Sequence, residues 1–162
     1  MPDATKVKKS KYFLKRSVEE KTFPRYETII QLGFPYTEGL GGENRPILIY
    51  TVADGTVEML KCILKEPVKP NIYDVDDIKR NAFHHACKRG DMEKFLLLKE
   101  NYPDALSYLA DQRTANGITM LQLAIISGNV CLVEECLAAK CFPFAQDFYG
   151  RTCVDLAEQQ KG

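Results

Sequence analysis

The stretch that most limits how this chain can fold runs from Gly117 to Gly128, reading Gly-Ile-Thr-Met-Leu-Gln-Leu-Ala-Ile-Ile-Ser-Gly, because imperfect copies of it lie on both sides at spacings in the thirties. A self-echo of that period marks a stack of supersecondary units, none of which buries its apolar face alone. Each copy reads as two short helical patterns around a glycine. Pro46 to about Asp54 and Val57 to Leu64 flank Gly55, Asn81 to Arg89 and Met92 to about Glu100 flank Gly90, and Thr119 to Ser127 and Val130 to Ala139 flank Gly128. Thr152 to Gln159 opens a fourth copy. Pro67 and Pro70 forbid extension of the second pattern in the first copy.

The third copy carries Gly117, Thr119, Leu121, Ala124, Gly128, Val133 and Leu137; the second carries Phe83-His84-His85-Ala86, Gly90, Phe95 and Leu98. In the fourth, Asp147-Phe148-Tyr149-Gly150-Arg151-Thr152 reads as a turn before Val154, Leu156 and Ala157, and the first copy keeps Pro46, Leu48, Thr51, Gly55, Leu60, Ile63 and Leu64. This pattern resembles the ankyrin repeat: a turn, a first helix opening on Thr-Pro-Leu-His-x-Ala, a glycine turn and a longer second helix. Tyr26, Ile29, Ile30 and Gly33 fit the second helix of a preceding partial unit. Gly55 to Gly90 is 35 residues, Gly90 to Gly128 is 38 and Ala124 to Ala157 is 33, against a usual period of about 33. The two excesses fall between a second helix and the next turn, where loops absorb insertions at small cost.

The resemblance covers about residues 26 to 160 and implies an all-α solenoid of stacked helix-turn-helix units with short hairpin-like loops. The expected boundaries are a basic arm over 1–16, then a repeat domain over 17–162. Within that domain lie a partial repeat over 17–40, repeats over about 41–75, 76–113 and 114–146, and a terminal half-repeat over 147–162. Packing explains the pattern without reference to other sequences. Ala86 and Ala124 permit close approach of layers that a larger side chain would push apart. Thr119 and Thr152 cap helix starts, and Leu121, Leu123, Ile125, Val133, Cys136 and Leu137 form stripes that neighbouring layers cover.

With 162 residues, 45% of them hydrophobic, the chain supports one continuous core. Lys plus Arg and Asp plus Glu both number 22, so no overall field attracts nucleic acid or an anionic membrane. The cations are uneven, however. Lys6, Lys8, Lys9, Lys11, Lys15 and Arg16 crowd an N-terminal stretch without a sustained apolar period, which reads as a solvated tail or as an arm that orders on a partner or polyanion. Nucleic acid is expected only through that arm. Cys62, Cys87, Cys131, Cys136, Cys141 and Cys153 follow no apolar signal segment, so reduced core thiols are expected in an intracellular, cytoplasmic protein, with cytoskeletal association an open alternative. No run approaches the length of a membrane span.

Catalysis, cofactors, metal and a small-molecule substrate are not expected. Any imidazole chemistry would need His84 or His85, the only histidines, and no nucleophile, base and orienting acid gather around them in sequence. The resemblance gives His84 a structural bond to turn backbone and sets His85 toward the concave side. His84 and Cys87, or Cys131, Cys136 and Cys141 five residues apart, lack the spacing of a metal knuckle. Gly39-Leu40-Gly41-Gly42 precedes Glu43, Asn44, Arg45 and Pro46 rather than Lys and Ser or Thr, so it reads as a hairpin loop in Phe34 to Asn44, not a phosphate loop.

Surfaces remain. In the resembling fold, turns project as fingers beside the first helices and form a concave groove. Its expected lining is Tyr50, Ala53 and Asp54, then His85, Lys88 and Arg89, then Leu123, Ile126 and Ser127. The expected fingertips are Tyr73, Asp74, Asp76, Arg113, Asn116, Phe148, Tyr149 and Arg151, several of the residue types that anchor protein interfaces. The expected function is a non-enzymatic protein-interaction module, a small adaptor or structural subunit in a larger assembly, with one or more protein partners. The fourth copy shows only a first helix, and a partner could finish the stack. The alternative is a reversible inhibitor of an enzyme or transcription factor.

Overall fold

The computed structural model describes residues 3–33, 39–40, 45–66 and 69–160. Most of the loop expected between Phe34 and Asn44, including Gly41 and Gly42, lies outside the described residues, as does Pro67. The described residues hold ten α-helices and no strand, so the fold is all-α. The backbone divides into two compact units, Met1–Asn71 and Ile72–Gly162.

The first unit holds α1 (Ala4–Glu19), α2 (Phe23–Gln31), α3 (Ile47–Asp54) and α4 (Val57–Leu64). Its N-terminal element corrects the sequence reading, since the stretch without an apolar period is a helix of 16 residues. Asp3 caps it by accepting from the Thr5 N–H at 3.0 Å, and Leu14, Ser17 and Val18 are buried. Three small or aliphatic contacts near its C-terminal end anchor it, and its cations stay outside. α1 packs on α2 and α3, and α4 packs on α2 and α3. Pro24 occupies the first turn of α2, where a missing N–H costs nothing. Tyr26 is buried beneath α3, with its hydroxyl 2.6 Å from that of Thr51. Leu40 and Arg45 exchange backbone bonds of 2.7 and 2.8 Å just before α3.

The second unit holds α5 (Ala82–Arg89), α6 (Met92–Asn101), α7 (Ala105–Leu109), α8 (Met120–Ser127), α9 (Val130–Ala138) and α10 (Cys153–Gln159). α5 packs along α8, and α8 packs along α9 and α10; α6 backs α5 and touches α9. Ala86 and Ala124 are fully buried between first helices, as close packing requires. α7 is a second correction. The insertion expected as loop between α6 and the next turn folds into a helical turn that buries Ala105, Leu106 and Leu109.

Candidate functional site

Three tight turns precede the first helices and share one wiring. In 76–80 the Asp76 N–H donates to Arg80 O at 3.0 Å, in 114–118 Thr114 N–H donates to Ile118 O at 2.9 Å, and in 147–151 Asp147 N–H donates to Arg151 O at 3.0 Å. The Asp76 carboxylate accepts from Ile78 N–H, Arg80 N–H and Arg80 Nε at 2.9–3.0 Å. Asp147 repeats this with Tyr149 N–H, Arg151 N–H and Arg151 Nε at 2.7–2.9 Å. Burial alone would raise both carboxyls, but the backbone donors, joined by His85 and the Arg80 charge at Asp76 and by the Arg151 guanidinium at Asp147, outweigh it and hold them below the usual range. At 114–118 the Thr114 hydroxyl takes the carboxylate's place, accepting from Ile118 N–H at 3.2 Å.

The turns are also bonded to one another. Ala115 N–H donates to Ile78 O at 2.8 Å, and Phe148 N–H donates to Asn116 O at 3.1 Å. A rigid row of fingers results. Gly117 adopts φ +76°, and a Cβ there would lie 2.6 Å from the Phe148 ring. Its bare backbone therefore seats Phe148 across two fingers.

The bases of the 114–118 and 147–151 fingers are each tied to the preceding layer's helix start by one buried side chain. His84 Nδ1 accepts from Asn81 N–H at 3.0 Å and its Nε2 bonds Gln112 O at 2.9 Å, which fixes the neutral tautomer with the proton on Nε2. Burial pushes this imidazole down to about 4. One layer on, Gln122 Oε1 accepts from Thr119 N–H at 3.0 Å while Nε2 donates to Ala145 O and Arg151 O, both at 3.1 Å. His84 therefore has the structural role that the sequence suggested.

The expected surface residues separate into several groups. Arg113, Asn116, Phe148, Tyr149 and Arg151 come together on two adjacent fingers. Arg113 Nη1 donates to Gln146 O at 3.0 Å, and the Arg151 guanidinium lies 5.2 Å from the Tyr149 ring centre. Phe148 and Tyr149 are 73% and 77% exposed. Tyr73 is exposed and meets Tyr108 edge-on at 5.8 Å, beside half-buried Asp74, whose carboxyl is raised by burial. Lys88, Arg89 and Ile126 are exposed at the ends of α5 and α8.

Other residues are placed differently from the expectation. Tyr50 is buried in the first unit, with the Arg45 guanidinium 5.0 Å from its ring centre, and Arg45 also pairs with half-buried Asp54 at 2.9 Å. His85 does not face outward; its Nε2 is drawn to the buried Asp76 carboxylate at 2.8 Å. Asp76 is the anchor of its turn, not a fingertip. Leu137, expected in a covered stripe, is exposed. On α1, Lys6, Lys8, Lys9, Lys15 and Arg16 are exposed and Lys11 is half-buried. Glu19 and Glu20 partner Lys15 and Arg16 at the C-terminal end of the helix.

Sequence reasoning missed exposed aromatics in the inter-repeat loops. Tyr108 stands on α7, and Phe142 and Phe144 meet edge-on at 5.8 Å. The Phe-Pro-Phe run between a second helix and the next finger was the available signal. Cys87, Cys136, Cys141 and Cys153 are buried, whereas Cys62 is half-buried and Cys131 is exposed; all six are free thiols. A hydrogen bond with Cys136, together with burial, pushes the Cys141 thiol far up, which makes it a poor nucleophile or ligand. Among the described residues, no group of three or more His, Cys, Asp or Glu side chains is arranged to hold a metal. No described helix is long and apolar enough to cross a membrane.

Comparison with known families agrees with this architecture. The description "Ankyrin repeats" matches residues 48–147 in three copies, and no curated protein matches the chain. Such repeats are protein–protein interaction modules and are typically non-catalytic. With that match across more than half its length, a helix pair around each glycine and hydrogen-bonded fingers before the first helices, the chain belongs to the ankyrin-repeat family.

Proposed function

We propose that this protein is a non-enzymatic adaptor or structural subunit that docks a protein partner through the fingers of its second unit. The observation that carries the reading is the exposed pair Phe148 and Tyr149, held on a turn whose backbone is fixed by Asp147, Asn116 and Arg113. Large rings presented by rigid backbone lose little conformational freedom on binding, and aromatic and arginine side chains dominate interface energetics. Lys88 and Arg89 at the end of α5, and Ile126 on α8, supply a polar and apolar rim. Six free thiols support a reducing, intracellular setting.

The test is affinity purification of the tagged chain from its source cells with quantitative mass spectrometry. Wild-type protein is expected to retain a stoichiometric partner that the Phe148→Ser, Tyr149→Ser double variant loses and Arg89→Glu weakens, with helical content unchanged in both. Recovery of no stoichiometric partner, or equal recovery by all three proteins, would refute the reading.

A further inference from the structure

Three buried thiols follow one another from an edge of the second unit into its core. Cys141 lies in the loop after α9, Cys136 in the last turn of α9 and Cys87 on α5. Cys136 and Cys87 are 49 residues apart in the chain, yet their Sγ atoms lie 3.8 Å apart across the interface of two layers. The same two layers are tied at the start of α9, where Asn129 Nδ2 donates to Gly90 O at 3.0 Å. Cys141 meets Cys136 because of the way α9 ends. Lys140 takes φ +65°, Cys141 N–H donates to Cys136 O at 3.1 Å and Lys140 N–H donates to Leu137 O at 3.0 Å. These paired bonds close a helix through a left-handed residue and set the side chain beyond it against one in the last turn. Here both side chains are cysteines, and their thiols share a hydrogen bond. Cys136 therefore has a sulfur neighbour on each side.

The three differ in access. Cys87 and Cys136 are 0% exposed, whereas Cys141 is 4% exposed and sits between Lys140 and Phe142, both exposed. An oxidant entering as the loop opens meets Cys141 first. While the loop is closed, the Cys136 hydrogen bond and burial keep the Cys141 thiol protonated, so opening of the loop is what makes it a nucleophile. Sulfur atoms already in contact need only a small movement to reach the roughly 2.0 Å of a disulfide.

We propose that Cys141, Cys136 and Cys87 form a thiol relay that carries oxidation by a hydroperoxide inward and ends as a Cys87–Cys136 disulfide joining α5 to α9. In the first step the Cys141 sulfur attacks the outer oxygen of the hydroperoxide. The O–O bond breaks, the alcohol or water leaves with the thiol proton, and Cys141 becomes a sulfenic acid. Cys136 then attacks the Cys141 sulfur and displaces hydroxide, which leaves as water with the Cys136 proton. In the last step Cys87 attacks Cys136, the central sulfur, and Cys141 departs as a thiolate that takes up the proton Cys87 loses. Two thiols and one hydroperoxide thus give one disulfide, one alcohol or water from the peroxide and one further water. Thiol reductants reverse the bond, as suits a transient cross-link in a reducing setting. The bond pins neighbouring layers behind the fingers and restricts the unfolded chain over the 49 residues between the two cysteines. The relay rests on the thiol positions and is independent of the fingertips.

The test treats the full chain with hydrogen peroxide, blocks the remaining thiols under denaturing conditions and maps disulfides by non-reducing proteolysis and mass spectrometry. An intramolecular Cys87–Cys136 cross-link is expected, reversed by dithiothreitol and accompanied by slower hydrogen exchange in α9. Cys141→Ser should slow its formation at least about tenfold by removing the entry thiol. Cys87→Ala should stop the relay at a Cys136–Cys141 disulfide, and Cys131→Ser, at the exposed thiol of α9, should leave the rate unchanged. Circular dichroism checks the fold of each variant. Timed alkylation of the untreated wild type supplies a reading that needs no variant: Cys141 should be labelled before Cys136 and Cys87. A wild-type product that ends at Cys136–Cys141, joins two molecules through Cys131 or carries sulfinic acid without a disulfide would overturn the proposal. So would equal rates in wild type and Cys141→Ser, or labelling of the core thiols before Cys141.

Discussion

His84 and Gln122 occupy equivalent positions in consecutive layers and do the same work with different chemistry. Each accepts from the N–H of a helix-capping residue and donates to a carbonyl at the base of the next finger. Only the histidine titrates. Its folded value of about 4 lies below the unfolded value of 6.5, so between them the unfolded chain holds the extra proton. Stability is therefore complete above about pH 6.5 and is lost as pH falls toward 4, by roughly 3 kcal/mol over the window. Asp76 and Asp147 act lower, because their folded values lie below 3.8. Urea denaturation of His84→Gln should give wild-type stability to within about 1 kcal/mol at pH 7.5 and a flat profile from pH 6.5 to 4.5; an unchanged slope would show that the proton is bound elsewhere. Gly117 offers a second test. Gly117→Ala places a side chain in left-handed backbone, costing about 1–2 kcal/mol, and drives into the Phe148 ring. A thermal unfolding midpoint equal to wild type would contradict that close approach.

At the scale of elements, what sequence could reveal depended on how each helix is stabilised. α3 to α6 and α8 to α10 were legible because Gly55, Gly90 and Gly128 separate dense apolar stripes, and Thr119 and Thr152 mark starts by capping. α1 was not. Its buried residues, Leu14, Ser17 and Val18, occupy one short patch, and its lysines conceal any period. α7 is five residues long, too short to display one. The same limit applies to the candidate surface. Asn116, Phe148 and Tyr149 are turn residues whose exposure follows from local geometry. Tyr50 and His85 lie on helices, where Arg45 and Asp76 from preceding loops cover them, a tertiary fact that spacing cannot supply. The helix reading of α1 has a direct check. Leu14→Ala should cost about 2–5 kcal/mol through the cavity it leaves, whereas Lys9→Ala at an exposed site should change stability by less than about 0.5 kcal/mol. Equal, small effects in chemical denaturation would return the segment to a solvated arm.

At the scale of the molecule, the packing is layered. Within the second unit α5 meets α8, and α8 meets α9 and α10, so stability there is a sum of unit terms and nearest-neighbour interfaces. A defect in one layer should spread through the interfaces it touches and fade beyond them. Ala124 is the place to introduce one, since its methyl group is fully buried in α8, the helix that meets α5, α9 and α10. Ala124→Leu should destabilise by about 1–3 kcal/mol through overpacking. Hydrogen exchange by mass spectrometry should then show faster exchange across α5, α8, α9 and α10, with α1 and α2 in the first compact unit changed much less. Uniform acceleration across all ten helices would mean that the chain opens as one cooperative body, and the layered account would fail. A neutral substitution would instead show that α8 has room at Ala124, contrary to the close packing that its full burial requires.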